Sequence, residues 1–174
     1  MAASIRVLAF TGAALVLAAG AKAETINSVE WGFSAAFPCQ TQLASQPVPT
    51  KVGNVTMISY TCGTDVAAYF VAIADFPKGA ITQQPSGAPY DGTISGMATN
   101  ANGTIRSVTP FLLGSVTGRD AFIDIPSDHR TSHVRVFFVD DRQYQVMFLG
   151  PAGDENSKAA LDFLNGFTLQ NTRK

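Results

Sequence analysis

The chain has 174 residues, 46% of them hydrophobic and 14% charged, with a formal net charge of −1 and two cysteines. That length suits one domain with a sizeable core. The slightly acidic balance, without a cluster of Lys and Arg, argues against a nucleic-acid partner, whose recognition rests on cations neutralising phosphates.

The first residues read as a processing signal. Arg6 supplies a positive start, Val7 to Ala19 an apolar run, and Ala21-Lys22-Ala23 a small-x-small cleavage site. The run falls short of the roughly 20 apolar residues that a membrane span needs. Phe10 to Gly20 holds no cysteine for lipid attachment. Cleavage is expected after Ala23, with an uncleaved anchor as the alternative. Removing residues 1–23 takes Arg6 and Lys22 away and leaves ten basic against thirteen acidic side chains, a net charge of −3. Residues 24–174 then form a single exported domain, periplasmic or secreted, with no stable membrane anchor.

In an oxidising compartment Cys39 and Cys62 form one structural disulfide. It closes a loop of about two dozen residues and contributes about 3 kcal/mol on the chain-entropy account. Two buried free thiols are the alternative. A redox pair would read Cys-x-x-Cys, and this spacing does not.

Taken in order, Val29 to Phe37 reads as a strand with Trp31, Phe33 and Ala35 on one face, an irregularity before Phe37, and Pro38 as its stop. Gln40 to Gln46 is polar apart from Leu43, an edge strand or loop, broken by Pro47-Val48-Pro49. A Gly53-Asn54 turn leads into a strand over Val55 to Cys62. Gly63-Thr64-Asp65 then turns the chain into a strand over Val66 to Phe76, and the pair makes a central hairpin. Residues Pro77 to Pro89 form a surface loop. Tyr90, Ile94, Met97, Ala98 and Ala101 recur at helical spacing, ended by Gly103, and Gly92 and Gly96 each weaken that helix by about 1 kcal/mol. Strands over Thr104 to Leu113 and Arg119 to Ile125 flank Gly114 to Gly118.

After a turn at Pro126 to Arg130 comes the best-specified unit. Val134, Val136 and Phe138 alternate with His133, Arg135 and Phe137, and Tyr144, Val146 and Phe148 repeat the pattern beyond Asp140-Asp141, giving a hairpin. A short helix is predicted from Asp154 as its cap, with Glu155 complementing the dipole. Ala160, Leu161 and Leu164 form its apolar stripe, Gly166 its left-handed end, and Phe167 folds back on Leu161. This order, three or four strands, a helix, four strands and a helix, predicts α+β with helices packed on a mainly antiparallel sheet of about six to eight strands.

Three features carry a resemblance. The first is an aromatic-rich strand ending in Phe37-Pro38, and the second a Gly-x-x-x-Gly-Arg-Asp step from Gly114 to Asp120. The third is Arg135, Tyr144 and Gly150-Pro151 running into Phe163-Leu164-Asn165-Gly166-Phe167-Thr168-Leu169. Together they resemble exported bacterial members of the PsbP-like superfamily, relatives of the photosystem II oxygen-evolving subunit. The resemblance spans almost all of the mature chain. It implies an α/β/α sandwich and a non-catalytic accessory or binding role. The cysteines lie outside the pattern.

Catalytic signatures are missing: no Gly-x-Ser-x-Gly, Ser-x-x-Lys or His-Glu-x-x-His, and no phosphate loop. The one concentrated set of ligating side chains is Asp124, Asp128, His129 and His133, which includes both histidines. A divalent metal needs three or four such donors converging on a point, so the set supports a metal-assisted hydrolase as the competing reading. Otherwise Asp128 and His129 are solvated turn residues and His133 an exposed strand position. Arg119 is expected to pair near Asp120 or with Asp162, and Tyr60, Tyr69, Tyr90 and Tyr144 to pack in the core. The favoured expectation is a binding module of the cell envelope for a protein or small ligand, without a cofactor.

Overall fold

The computed structural model describes residues 22–50 and 52–170. All but Lys22 and Ala23 of the predicted signal lies outside the described residues. In chain order the elements are β1 (Glu24–Ser28), β2 (Phe33–Phe37), β3 (Gln42–Thr50), β4 (Gly53–Gly63), β5 (Ala68–Asp75), α1 (Ala88–Asn100), β6 (Thr104–Leu113), β7 (Val116–Ile125), β8 (Arg130–Val139), β9 (Arg142–Pro151), α2 (Lys158–Asn165) and β10 (Thr168–Leu169). Seven strands make an antiparallel sheet in the order β3-β4-β5-β9-β8-β7-β6, and β1-β2-β10 make a small second sheet. This is the expected α+β architecture.

Strand alternation assigns the layers. On β8, Val134 and Val136 face α1 and pack with Ile94 and Ala98. Phe137 faces the opposite side, where β2 and α2 supply Phe33, Phe37, Phe163 and Leu164 around Phe167. Phe167 stacks at 5.7 Å on Phe33 and at 6.0 Å on Phe137, so one ring joins the small sheet to the large one. The close approach explains Gly118, opposite Phe137: a Cβ there would lie 2.5 Å from the Phe137 ring and 2.7 Å from the Val136 carbonyl oxygen.

Several predicted boundaries move. The first strand begins at Phe33, because Gly32 takes a left-handed turn at φ 67, and β1 precedes it. Phe33, Ala35 and Phe37 are all buried, so the pattern runs without the irregularity predicted before Phe37. Five strands therefore precede α1. Pro47-Val48-Pro49 does not break β3, which continues to Thr50 with Pro47 opposite Thr56 and Pro49 opposite Asn54. β3 pairs only with β4, and prolines two residues apart turn their nitrogens to the same, open side, so the ladder loses no donor. Pro110 lies on β6, the other edge of the sheet.

The last helix begins three residues late. Ser157, not Asp154, is its cap and accepts from the Ala160 N–H. Glu155 is instead buried, with one carboxylate oxygen accepting from the Gly153 N–H and the other from Arg106. Ala160, Phe163 and Leu164 form the buried stripe, Leu161 is half-buried, and Gly166 sits at φ −75 in the right-handed region.

One buried hydroxyl is unmet. Ser132 Oγ, on β8, has no hydrogen-bond partner among the described residues. Ser132→Ala removes a desolvated group that gains nothing, and is expected to raise stability by about 1 kcal/mol. The readout is a higher urea midpoint at unchanged slope; a comparable loss would show that the hydroxyl holds a bond.

Candidate functional site

The predicted ligating set is dispersed into separate contacts. Asp124 accepts from Thr131 Oγ1 at 3.0 Å and lies 3.6 Å from Arg106 Nε. Asp128 ends a 3-10 turn over Pro126–Asp128, and His129 follows it in the left-handed region at φ 52. His133 is not exposed as its alternation suggested but buried, at 3% exposure. Its Nδ1 lies 2.8 Å from the Glu155 carbonyl oxygen and its Nε2 2.8 Å from Asp120 Oδ1, so both ring nitrogens are spent on acceptors. Among the described residues no three His, Cys, Asp or Glu side chains gather as a metal site.

His133 belongs to a buried tie between sheet and helix. Asp120 Oδ2 accepts from Arg135 Nε at 2.9 Å, and Arg135 Nη1 donates to the Leu164 carbonyl and to Asn165 Oδ1. Burial raises the Asp120 pKa, but hydrogen bonds from His133 and Arg135 outweigh it and hold the carboxyl below its ordinary range. Arg119, predicted to pair near Asp120 or with Asp162, instead lies 4.8 Å over the Tyr90 ring, while Asp162 pairs with Lys158. The guanidinium that Asp120 holds is Arg135, its cross-strand partner. The Gly114 to Asp120 step and Arg135 thus serve structure.

An open concave surface lies at the end of the sheet where β5 finishes and β9 starts. A cleft of about 450 Å³ is walled by Trp31, Phe76 and Pro77, with Asn54, Thr56 and Asp75 supplying polar atoms. A second of about 610 Å³ shares Asp75 and Phe76 and continues past Arg142 to Lys78, Asp140 and Asp141. Trp31 is half-buried, and three interactions anchor it. Its backbone N–H donates to Ser28 Oγ, its backbone carbonyl accepts from the Tyr144 hydroxyl at 2.8 Å, and its ring lies 5.2 Å from the Arg142 guanidinium. Arg142 also donates to the Glu30 carbonyl and forms a two-pronged pair with Asp75, with Nη2 2.6 Å from Oδ2.

The second cleft is equally ordered. Asp141 accepts from the backbone N–H groups of Gly79, Ile81 and Thr82, of which the first two contribute most to lowering its pKa, so one carboxylate holds the loop after β5 to the β8–β9 turn. Residue spacing gave no warning of this surface, since Trp31, Asp75 and Arg142 meet only through the fold. The single tryptophan beside Gly32 was the available signal.

The layers and the strand order define a PsbP-like fold. The solution structure of cyanobacterial PsbP (CyanoP) from Synechocystis sp. PCC 6803 is similar, with a TM-score of 0.56 over 91% of this chain and 98% of that chain, at 8% sequence identity. At that identity the likeness is one of fold. No family model and no curated protein sequence matches the chain. Among the described residues no helix is long and apolar enough to cross a membrane.

Proposed function

We propose that the chain is an exported, non-catalytic binding module of the cell envelope, and that the Trp31 cleft is its binding surface. The observation that carries this is the fixed, half-exposed tryptophan. Two backbone hydrogen bonds and the Arg142 guanidinium beside its ring hold it at the wall of an open cleft, which is how a recognition surface is preorganised. Export rests on the leader pattern of residues 1–23 and agrees with the disulfide between Cys39 and Cys62. The accessory role is what the PsbP-like resemblance implies. The competing hydrolase would require His133 as a ligand, and both of its ring nitrogens are engaged.

The test uses mature wild-type protein and Trp31→Ala as parallel baits on native envelope extract, with mass spectrometry of what each retains. A component held by wild type and lost by a folded Trp31→Ala is the expected result. Equal retention by both baits removes the cleft. Turnover on a hydrolase panel, abolished by one substitution at Asp124 or His133 without loss of folding, removes the non-catalytic reading.

A further inference from the structure

The two clefts share Asp75 and Phe76, so they form one groove with unlike halves. The first half is aromatic, with Trp31 and Phe76 flanked by Pro77. Among the described residues no protein group is hydrogen-bonded to the Trp31 indole N–H or to the side chains of Asn54 and Thr56, which lie two residues apart on β4. The second half carries three carboxylates, Asp75, Asp140 and Asp141, against two cations, Lys78 and Arg142, so its charge is net negative. A carboxylate held by hydrogen bonds keeps its charge, and the field at this end favours a cation.

We infer that this groove takes an extended, proline-containing peptide whose prolines lie on Trp31 and Phe76 and whose following Lys or Arg lies in the acidic half. The inference rests on the binding-module reading and names the chemical class of the occupant. Three arguments select it. Two adjoining clefts with unlike linings match a linear ligand with an apolar segment and a charged one. An open groove removes little surface from water, so its ligand must lose little conformational entropy on binding, and a polyproline segment is already extended. Such a segment has no internal hydrogen bonds, and its free carbonyls suit the indole and Asn54 donors, as in other aromatic-lined proline grooves. Arg142 and Asp75 act as positioning residues for Trp31.

Trp31 is the single tryptophan, so its fluorescence reports the groove directly. The probe is a short synthetic peptide carrying Pro-x-x-Pro followed by two arginines, titrated into the mature protein. A saturable change in emission is expected, weakening at least about tenfold when the prolines become alanine or the arginines become glutamate, the scale of losing one anchor. Affinity also falls as salt is raised. Thr56→Arg, at an exposed position, fills the aromatic half and repels the cation, and is expected to abolish the response with an unchanged melting temperature. Phe76→Ala is the second variant, expected to weaken binding about tenfold with Trp31 emission retained.

No saturable response, or one indifferent to the proline and arginine replacements or to Thr56→Arg, overturns the inference. Cellohexaose serves as the glycan control. Saturation by it in place of the peptide reassigns the groove to carbohydrate, which overturns the peptide class and leaves the binding module standing. Failure of the Trp31-dependent capture removes the cleft as the module's binding surface.

Discussion

Asp120→Ala is expected to lower the unfolding free energy by about 3–5 kcal/mol, the scale of breaking a buried charge pair from one side. Arg135 is 6% exposed and His133 3% exposed, so neither gains water when the carboxylate goes. Arg135 keeps its bonds to Leu164 and Asn165 but loses the opposing charge, and His133 keeps only the Glu155 carbonyl. Urea unfolding checks the loss. A change under about 1 kcal/mol would show that the tie behaves as an exposed pair. Replacing the partners together with well-packed apolar residues should cost far less than the single truncation, because the penalty lies in the stranded charges.

The same carboxylate sets an acid limit. Its folded pKa is depressed below its unfolded value, ordinarily about 3.9. The stabilisation is therefore fully present above that unfolded value and is lost as pH falls through the folded one. Wild type should lose stability in that acid window more steeply than Asp120→Ala, measured by urea midpoints across pH.

Cys62→Ala is the second large effect, a loss of about 2–4 kcal/mol. The Cys39–Cys62 bridge spans 23 positions with its Cα atoms 5.6 Å apart, and both cysteines are buried. Cys39 follows β2 of the small sheet and Cys62 lies on β4 of the large one, so the bond joins the two layers. Aromatic packing and the bonds from Tyr144 and Arg142 to the Trp31 and Glu30 carbonyls are further ties between them. The Trp31 cleft lies toward the opposite end of β4, by Asn54 and Thr56, so binding should survive the substitution at temperatures where the variant is folded. Free-thiol titration of unfolded, unreduced wild type should find none. Two reactive thiols in protein from its native compartment, or full stability with binding lost, would contradict the structural role.

What could be read in advance followed from local pattern. Val134 to Phe148 alternates with period two and carries its own turn, so the hairpin needed no distant information. The late start of α2 was illegible because Asp154 and Ser157 are both good caps, and the choice depends on Glu155 being drawn to Arg106 across 49 positions. His133 alternates like an outward residue, yet the layer formed by α2 and its preceding turn buries it. Trp31 was visible as an aromatic strand residue, but its role depends on Arg142, Tyr144 and Asp75, far away in sequence and close only once β5 and β9 pair. Metal chemistry was suggested by the neighbourhood of Asp124 to His133 in sequence; in space, each of these side chains has its own surroundings.

The prolines on β3 and β6 have a consequence for how the protein behaves in a crowd. A seven-stranded sheet that does not close into a barrel offers a bare row of backbone donors and acceptors at each flank, the template on which fibrils grow. Here Pro47 and Pro49 interrupt one flank and Pro110 the other, so an incoming strand meets gaps at either side. Polymerisation by strand addition is thereby frustrated at both flanks.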